Sequence, residues 1–179
     1  MDALRNFYIM RANNNSEKLF VQKNIVAIGW SDINYTDFKN VEDFIIEIEN
    51  RYGEEYNASA VKRQQWGRYK TVIRRFSKMK YGDVIVVPYE NDKVVFAMIT
   101  GIHKYDAEEN RSETDIANQI EVTYLKNKSK IFCFEKNNLS AKFVNRINRQ
   151  GLIIDEVHAS EVAEILNILT DIAFENSTI

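Results

Sequence analysis

One cysteine, one proline, six glycines and two histidines are the whole supply of those residue types in a chain of 179. Cys133 alone forms no internal disulfide. It lies in the apolar run Ile131-Phe132-Cys133-Phe134, where a buried, inert thiol is expected. A structural zinc site takes about four Cys or His ligands. Cys133, His103 and His158 cannot supply them within one chain. Scarce Pro and Gly argue against long irregular loops. No stretch approaches the ~20 apolar residues of a membrane span, and no basic-then-apolar leader opens the chain. A soluble protein of a reducing, cytoplasmic setting, without membrane contact, is expected.

The chemistry-bearing motifs are missing as well. G-x-S-x-G, G-x-x-x-x-G-K-[ST] and G-x-G-x-x-G do not occur. A restriction-type nuclease needs a D/E-x-K pair at the end of a buried strand to hold Mg²⁺. The D/E-x-K of this chain, Asp37-Phe38-Lys39, falls in a polar loop before a helix. No catalytic residue, metal site or cofactor is expected, and the chain reads as a binder rather than an enzyme.

What the chain does have is packing mass. Hydrophobic residues make up 45% and aromatics 12%, enough for the core of a single domain over residues 1–179. Phe7–Met10 and Ile25–Ile28 read as strands, with a short helix from Glu17 to Lys23 between them that Ser16 can cap. Val41, Phe44, Ile45, Ile48 and Tyr52 recur at helical spacing behind Asn40, a plausible cap. Trp66, Tyr69, Ile73 and Phe76 form a second stripe, and Gly67 beside Trp66 points to an irregular or closely approached segment. Val84–Tyr89 and Val94–Ile102 pair around a turn at 90–93, and Ile120–Leu125 and Lys130–Phe134 around one at 126–129. Residues 106–115 read as a charged surface loop. A short helix spans Leu139–Asn148, ended by Gly151, and an amphipathic one spans 160–174. The fold class that fits is α+β: a small mixed or antiparallel sheet curled into an open barrel and flanked by helices.

Charge is the most uneven property. From Tyr56 to Gly82 the chain carries Lys62, Arg63, Arg68, Lys70, Arg74, Arg75, Lys78 and Lys80 and no acid. That is +8 within a net charge of −2, leaving −10 for the rest. Trp66, Tyr69, Phe76 and Tyr81 are interleaved with these cations. A basic field set with flat rings suits a polyanion that also offers bases.

The succession Phe7-Tyr8-Ile9-Met10, Ile25-Val26-Ala27-Ile28-Gly29-Trp30-Ser31-Asp32, the Trp66-to-Phe76 helix, Gly82-Asp83-Val84-Ile85-Val86-Val87-Pro88, Val95–Gly101 and Gln119–Leu125 resembles the PUA-like superfamily. It is most similar to the EVE- and YTH-like domains at the N-termini of modification-dependent restriction proteins, over roughly residues 5–150. The resemblance implies a small barrel that flips a modified base, most simply in methylated DNA, into an aromatic-lined pocket within a restriction or phage-defence system. An effector nuclease or motor would then belong to another chain or domain.

Each candidate residue has a functional and a plainer reading. Trp30 can stack on a flipped base or cap the core. Ser31 and Asp32 can read a base edge or form the turn. Trp66 can be a second pocket wall or a core residue. Arg63, Arg68, Arg74 and Arg75 can clamp phosphates or form a solvated helix face. Tyr35, Tyr89 and Tyr105 lie in turns that could border the pocket, and His103 could titrate at its rim. The rival reading is a protein–protein adaptor that uses the C-terminal helix and the basic helix and binds no nucleic acid.

Overall fold

The computed structural model of the chain describes residues 5–12, 16–109, 114–149 and 153–177. Among them a seven-stranded sheet carries the fold. Its strands are β1 (Phe7–Met10), β2 (Ile25–Ile28), β3 (Val84–Tyr89), β4 (Lys93–Tyr105), β5 (Asn118–Tyr124), β8 (Cys133–Glu135) and β9 (Ile154–Glu156). Two short strands, β6 (Lys126–Asn127) and β7 (Lys130–Ile131), pair only with each other. The helices are α1 (Glu17–Lys23), α2 (Val41–Asn57), α3 (Ala60–Lys78), α4 (Ala141–Ile147) and α5 (Ala159–Ser177). The class is α+β.

The strand order is β2-β5-β4-β3-β1-β9, with β8 beside one end of β4. β1 runs parallel to β3 and the other pairs in the sheet are antiparallel, so the sheet is mixed. Its outermost strands, β2 and β9, are not bonded to each other, and among the described residues no barrel closes.

Alternation explains the shape. In β1, β3 and β4 successive side chains enter two different cores. Tyr8, Met10, Ile85, Val87, Val95, Ala97 and Ile99 face the larger one, with Phe44, Ile45 and Ile48 of α2 and Val72, Ile73 and Phe76 of α3. Ile9, Val84, Val86, Val94 and Phe96 face the other, with Phe143 and Ile147 of α4 and Ile165, Ile168 and Ile172 of α5. Strands buried on both faces need continuous apolar runs, which is why Val84-Ile85-Val86-Val87 shows no polar alternation. The result is a mixed sheet between two helical layers and not a closed barrel.

Local signals mostly hold. Asn40 caps α2 by accepting from the Asp43 N–H at 3.0 Å, and Ser59 caps α3 through the Lys62 N–H. Asp83 is buried and accepts from the Asn6 and Lys80 N–H groups at 3.0 and 3.1 Å. The Gly82-Asp83 turn thereby ties the N-terminal segment to the start of β3.

Several expectations are corrected. Ser16 is buried but makes no side-chain cap. Gly67 sits in regular helix with open space where a side chain would be, so α3 is neither irregular nor closely approached there. The hairpin expected around 126–129 forms only near its turn, where β6 pairs with β7 and the Phe132 N–H donates to the Leu125 carbonyl; β8 then crosses to Lys93–Val95 of β4 instead of continuing along β5. β9, unforeseen from the sequence, pairs with β1. Cys133 is half-buried rather than sealed, with burial pushing its thiol up. Asn13, Asn14, Asn15 and Gly151 lie outside the described residues.

Candidate nucleic-acid interface

β2 ends at Ile28, and after Gly29 the chain turns sharply at Trp30, whose φ of 60° is left-handed. For a bulky non-glycine residue that conformation costs on the order of 1–2 kcal/mol and must be held by its surroundings. The Asp115 carboxylate accepts from the Trp30 N–H at 3.3 Å and from the Ser31 N–H at 2.9 Å. Asn118, fully buried, donates its amide to the carbonyls of Gly29, Trp30 and Ile33 and accepts from the Tyr35 N–H. Gly29 is needed for this approach: a Cβ there would lie 2.3 Å from Asp115 Oδ2.

The turn presents the Trp30 indole to the α2–α3 hairpin. Its Nε1–H donates to the Tyr56 hydroxyl at 2.9 Å. The Tyr56 ring stacks on Trp66 with centroids 4.6 Å apart and planes 5° from parallel. Tyr69 meets Trp30 edge-on at 5.5 Å. Trp66 is buried at 5% exposure and donates its indole N–H to Glu49 at 2.7 Å. The outcome is a cleft of about 160 Å³ lined by Gly29, Trp30, Tyr56, Tyr69, Asp115 and Ile153. That is below the roughly 300–1,000 Å³ of drug-sized sites, on the scale of one flat ring system. Burial raises the Tyr56 hydroxyl pKa, partly offset by the bond from Trp30.

The sequence candidates divide. Trp30 lines the cleft, and Trp66 backs its wall one layer down. Ser31 does not face it: the side chain is buried and accepts from the Ala117 N–H at 2.9 Å. Asp32 points to α2, where it takes the Tyr52 hydroxyl proton bond at 2.5 Å and an ion pair with Arg51. The Tyr105 hydroxyl donates to the Ser31 carbonyl and braces the turn from behind. Tyr35 packs among Phe44, Phe76 and His103. His103 is half-buried, with Nε2 donating to the Phe76 carbonyl at 2.9 Å, so it is a packing residue and not a rim group. Tyr89 closes β3 beside the 90–92 turn and lines none of the cleft.

The cations are more engaged than the linear count implies. Arg74 forms a two-point pair with Glu42 at 2.7 and 2.8 Å, holding the Glu42 carboxyl below its usual range. Lys70 pairs with Glu49 and Lys62 with Glu55. Arg75 is half-buried against Asp155 and Glu156 of β9. Arg63 donates to the Asn57 carbonyl at the α2–α3 junction. Among the described residues Arg68, Lys78 and Lys80 have no side-chain partner. Arg74 and Arg75 also sit two helical turns from Trp66, about 12 Å along the axis, so they do not border the cleft.

Gly29, Tyr56, Tyr69, Asp115 and Ile153 line the cleft but are not among the sequence candidates. Tyr56 extends the α2 stripe four residues past Tyr52, a readable signal. Asp115 acts across 85 residues and leaves none. Among the described residues no three His, Cys, Asp or Glu side chains converge to hold a metal ion, and no helix is long and apolar enough to cross a membrane. The C-terminal helix α5 spends Ile165, Ile168 and Ile172 on its own domain and leaves Leu166 exposed.

Comparison with known proteins gives a family match. The family model described as domain of unknown function DUF8426 matches residues 8–148. No curated protein matches. Among solved structures the crystal structure of protein Atu2648 from Agrobacterium tumefaciens aligns over 91% of this chain and 92% of its own, with a TM-score of 0.42 and 13% identity.

Proposed function

The chain belongs to the DUF8426 family, and we propose that it is a nucleic-acid-binding module that takes one extruded, modified base into the cleft beneath Trp30. The observation that carries the reading is the cleft itself: a single-ring-sized opening walled by Trp30, Tyr56 and Tyr69, with the Asp115 carboxylate at its edge. Three aromatic walls favour a flat guest, and stacking is worth about 1–3 kcal/mol per base. A carboxylate accepts from an exocyclic amine. Asp115 already serves two backbone N–H groups but keeps lone pairs for a further donor. Extrusion costs a few kcal/mol, which stacking and one charge-assisted hydrogen bond offset.

The PUA-like assignment belongs to this same reading. The open mixed sheet, with Gly29-Trp30 ending one edge strand beside a basic aromatic helix, supports it. Phosphate contacts then fall to Arg68 and Arg63 of α3, which flank the turn of Trp66 and Tyr69, while Arg74 and Arg75 serve the fold. Methylated DNA is the substrate we propose first, within a restriction or phage-defence system whose effector is a separate nuclease or motor.

The test is a binding screen of plain and base-methylated oligonucleotides against the native protein and Trp30→Ala. One methylated oligonucleotide is expected to bind the native protein at least tenfold more tightly than its plain counterpart, in line with one to three kcal/mol of apolar discrimination. Trp30→Ala is expected to erase that preference while leaving the weaker binding common to all sequences. A preference that survives the substitution would refute the cleft as the reading site.

A further inference from the structure

The opposite face of the sheet holds a second, larger opening that the base-reading proposal does not use. Its volume is about 450 Å³, within the range of small-molecule sites. Val84 of β3, Phe96 and Met98 of β4 and Leu125 floor it, and Leu169 of α5 walls it. It exists because α5 and α4 cover only part of this face. Ile165, Ile168 and Ile172 seal the sheet over Val86, Val94 and Phe96. Farther along the same strand, β4 bulges between Ile99 and His103.

The charges around this trough are of one sign. Arg5 and Lys126 both line it, both are exposed, and among the described residues neither has a carboxylate partner. Among the described residues no Asp or Glu lines it. That contrasts with α3, where cation after cation is matched by an acid of α2 or β9. An apolar floor with two unmatched cations selects a guest with an aliphatic body and one anionic head, since the chain gains by leaving water and the head by meeting opposite charge.

We propose that this trough binds a medium-chain aliphatic carboxylate. Its chain lies on Phe96, Met98, Leu125 and Leu169, and its carboxylate meets Arg5 and Lys126. The site is independent of the Trp30 cleft, which opens on the other side of the sheet.

Decanoate below its micelle concentration is the probe, with decanol and decyltrimethylammonium as neutral and cationic controls. The intact chain carries ¹³C-methyl methionine, and Met98→Leu assigns the Met98 signal. Decanoate is expected to shift that signal saturably and to bind about tenfold more tightly than decanol, the gain of a charge-assisted contact. The exposed double substitution Arg5→Glu with Lys126→Glu should abolish that tenfold and leave decanol binding unchanged, with an unaltered melting curve as the check on folding. No shift at Met98, equal affinity for the cationic control, or indifference to the charge reversal would each overturn the proposal. So would a Met98 shift that follows protein concentration alone, because it would mark a second copy of the chain as the occupant.

Discussion

Gly29 is the residue on which the cleft turns. Its missing side chain is the space the Asp115 carboxylate occupies, and that carboxylate holds Trp30 in its left-handed conformation. Gly29→Ala is therefore expected to expel Asp115, to cost about 1–3 kcal/mol in urea unfolding and to lower discrimination between modified and plain bases. A substitution neutral in both would show that the turn is not held this way. His103 carries a pH prediction. Burial among Tyr35 and Phe76 lowers its pKa, only partly countered by the Phe76 carbonyl. The unfolded chain therefore binds a proton first as the pH falls, so stability declines from about pH 6.5 downwards until the folded-state pKa is passed. Comparing unfolding of the native protein and His103→Gln at pH 7.5 and 5.5 isolates this: the native protein should lose more, and equal losses would contradict the assignment. At this scale the sequence disclosed Trp30 but not its holders. Asp115 and Asn118 reach the turn from more than 80 residues away through hydrogen bonds, which leave no periodic pattern.

Helices α2 and α3 form the element that matters most, and their charges are arranged in register. Glu42 and Glu49, seven residues apart on one face of α2, and Glu55 nearer its end meet Arg74, Lys70 and Lys62 of α3 in antiparallel order. Read along the chain, the cations look like a free field; folded, three of the eight are answered by acids of α2 and Arg75 by acids of β9. Such exposed pairs contribute at most about 1 kcal/mol each to stability. Under the proposed function, their further role is to restrain non-specific attraction to phosphate. Glu42→Gln with Glu49→Gln is expected to release Arg74 and Lys70, to raise affinity for plain oligonucleotides and to steepen its salt dependence by about 1 to 2 logarithmic units. Unchanged affinity would mean that α3 does not meet phosphate. Both helices were legible, because apolar spacing of three and four survives in any context. Partnership between their charges was not, since it depends on how the hairpin packs.

For the whole molecule, an acidic chain places an aromatic cleft on one side of its sheet and an apolar trough on the other. The α+β class could be read from alternating strand and helix signals. Closure could not, because it depends on what the outermost strands meet, and β9 joins β1 across more than 140 residues. The continuous apolar runs of β3 and β4 match strands covered on both faces, and the two helical layers, not expected from the sequence, are what cover them. The account places a guest base in contact with one of two tryptophans. Trp66→Phe leaves Trp30 as the sole indole and keeps a ring for Tyr56 to stack on. Titrating that variant with the preferred methylated oligonucleotide should quench Trp30 emission along the same saturation curve that anisotropy gives for binding, with the plain oligonucleotide quenching little at equal occupancy. Full binding with Trp30 emission unchanged would contradict the account.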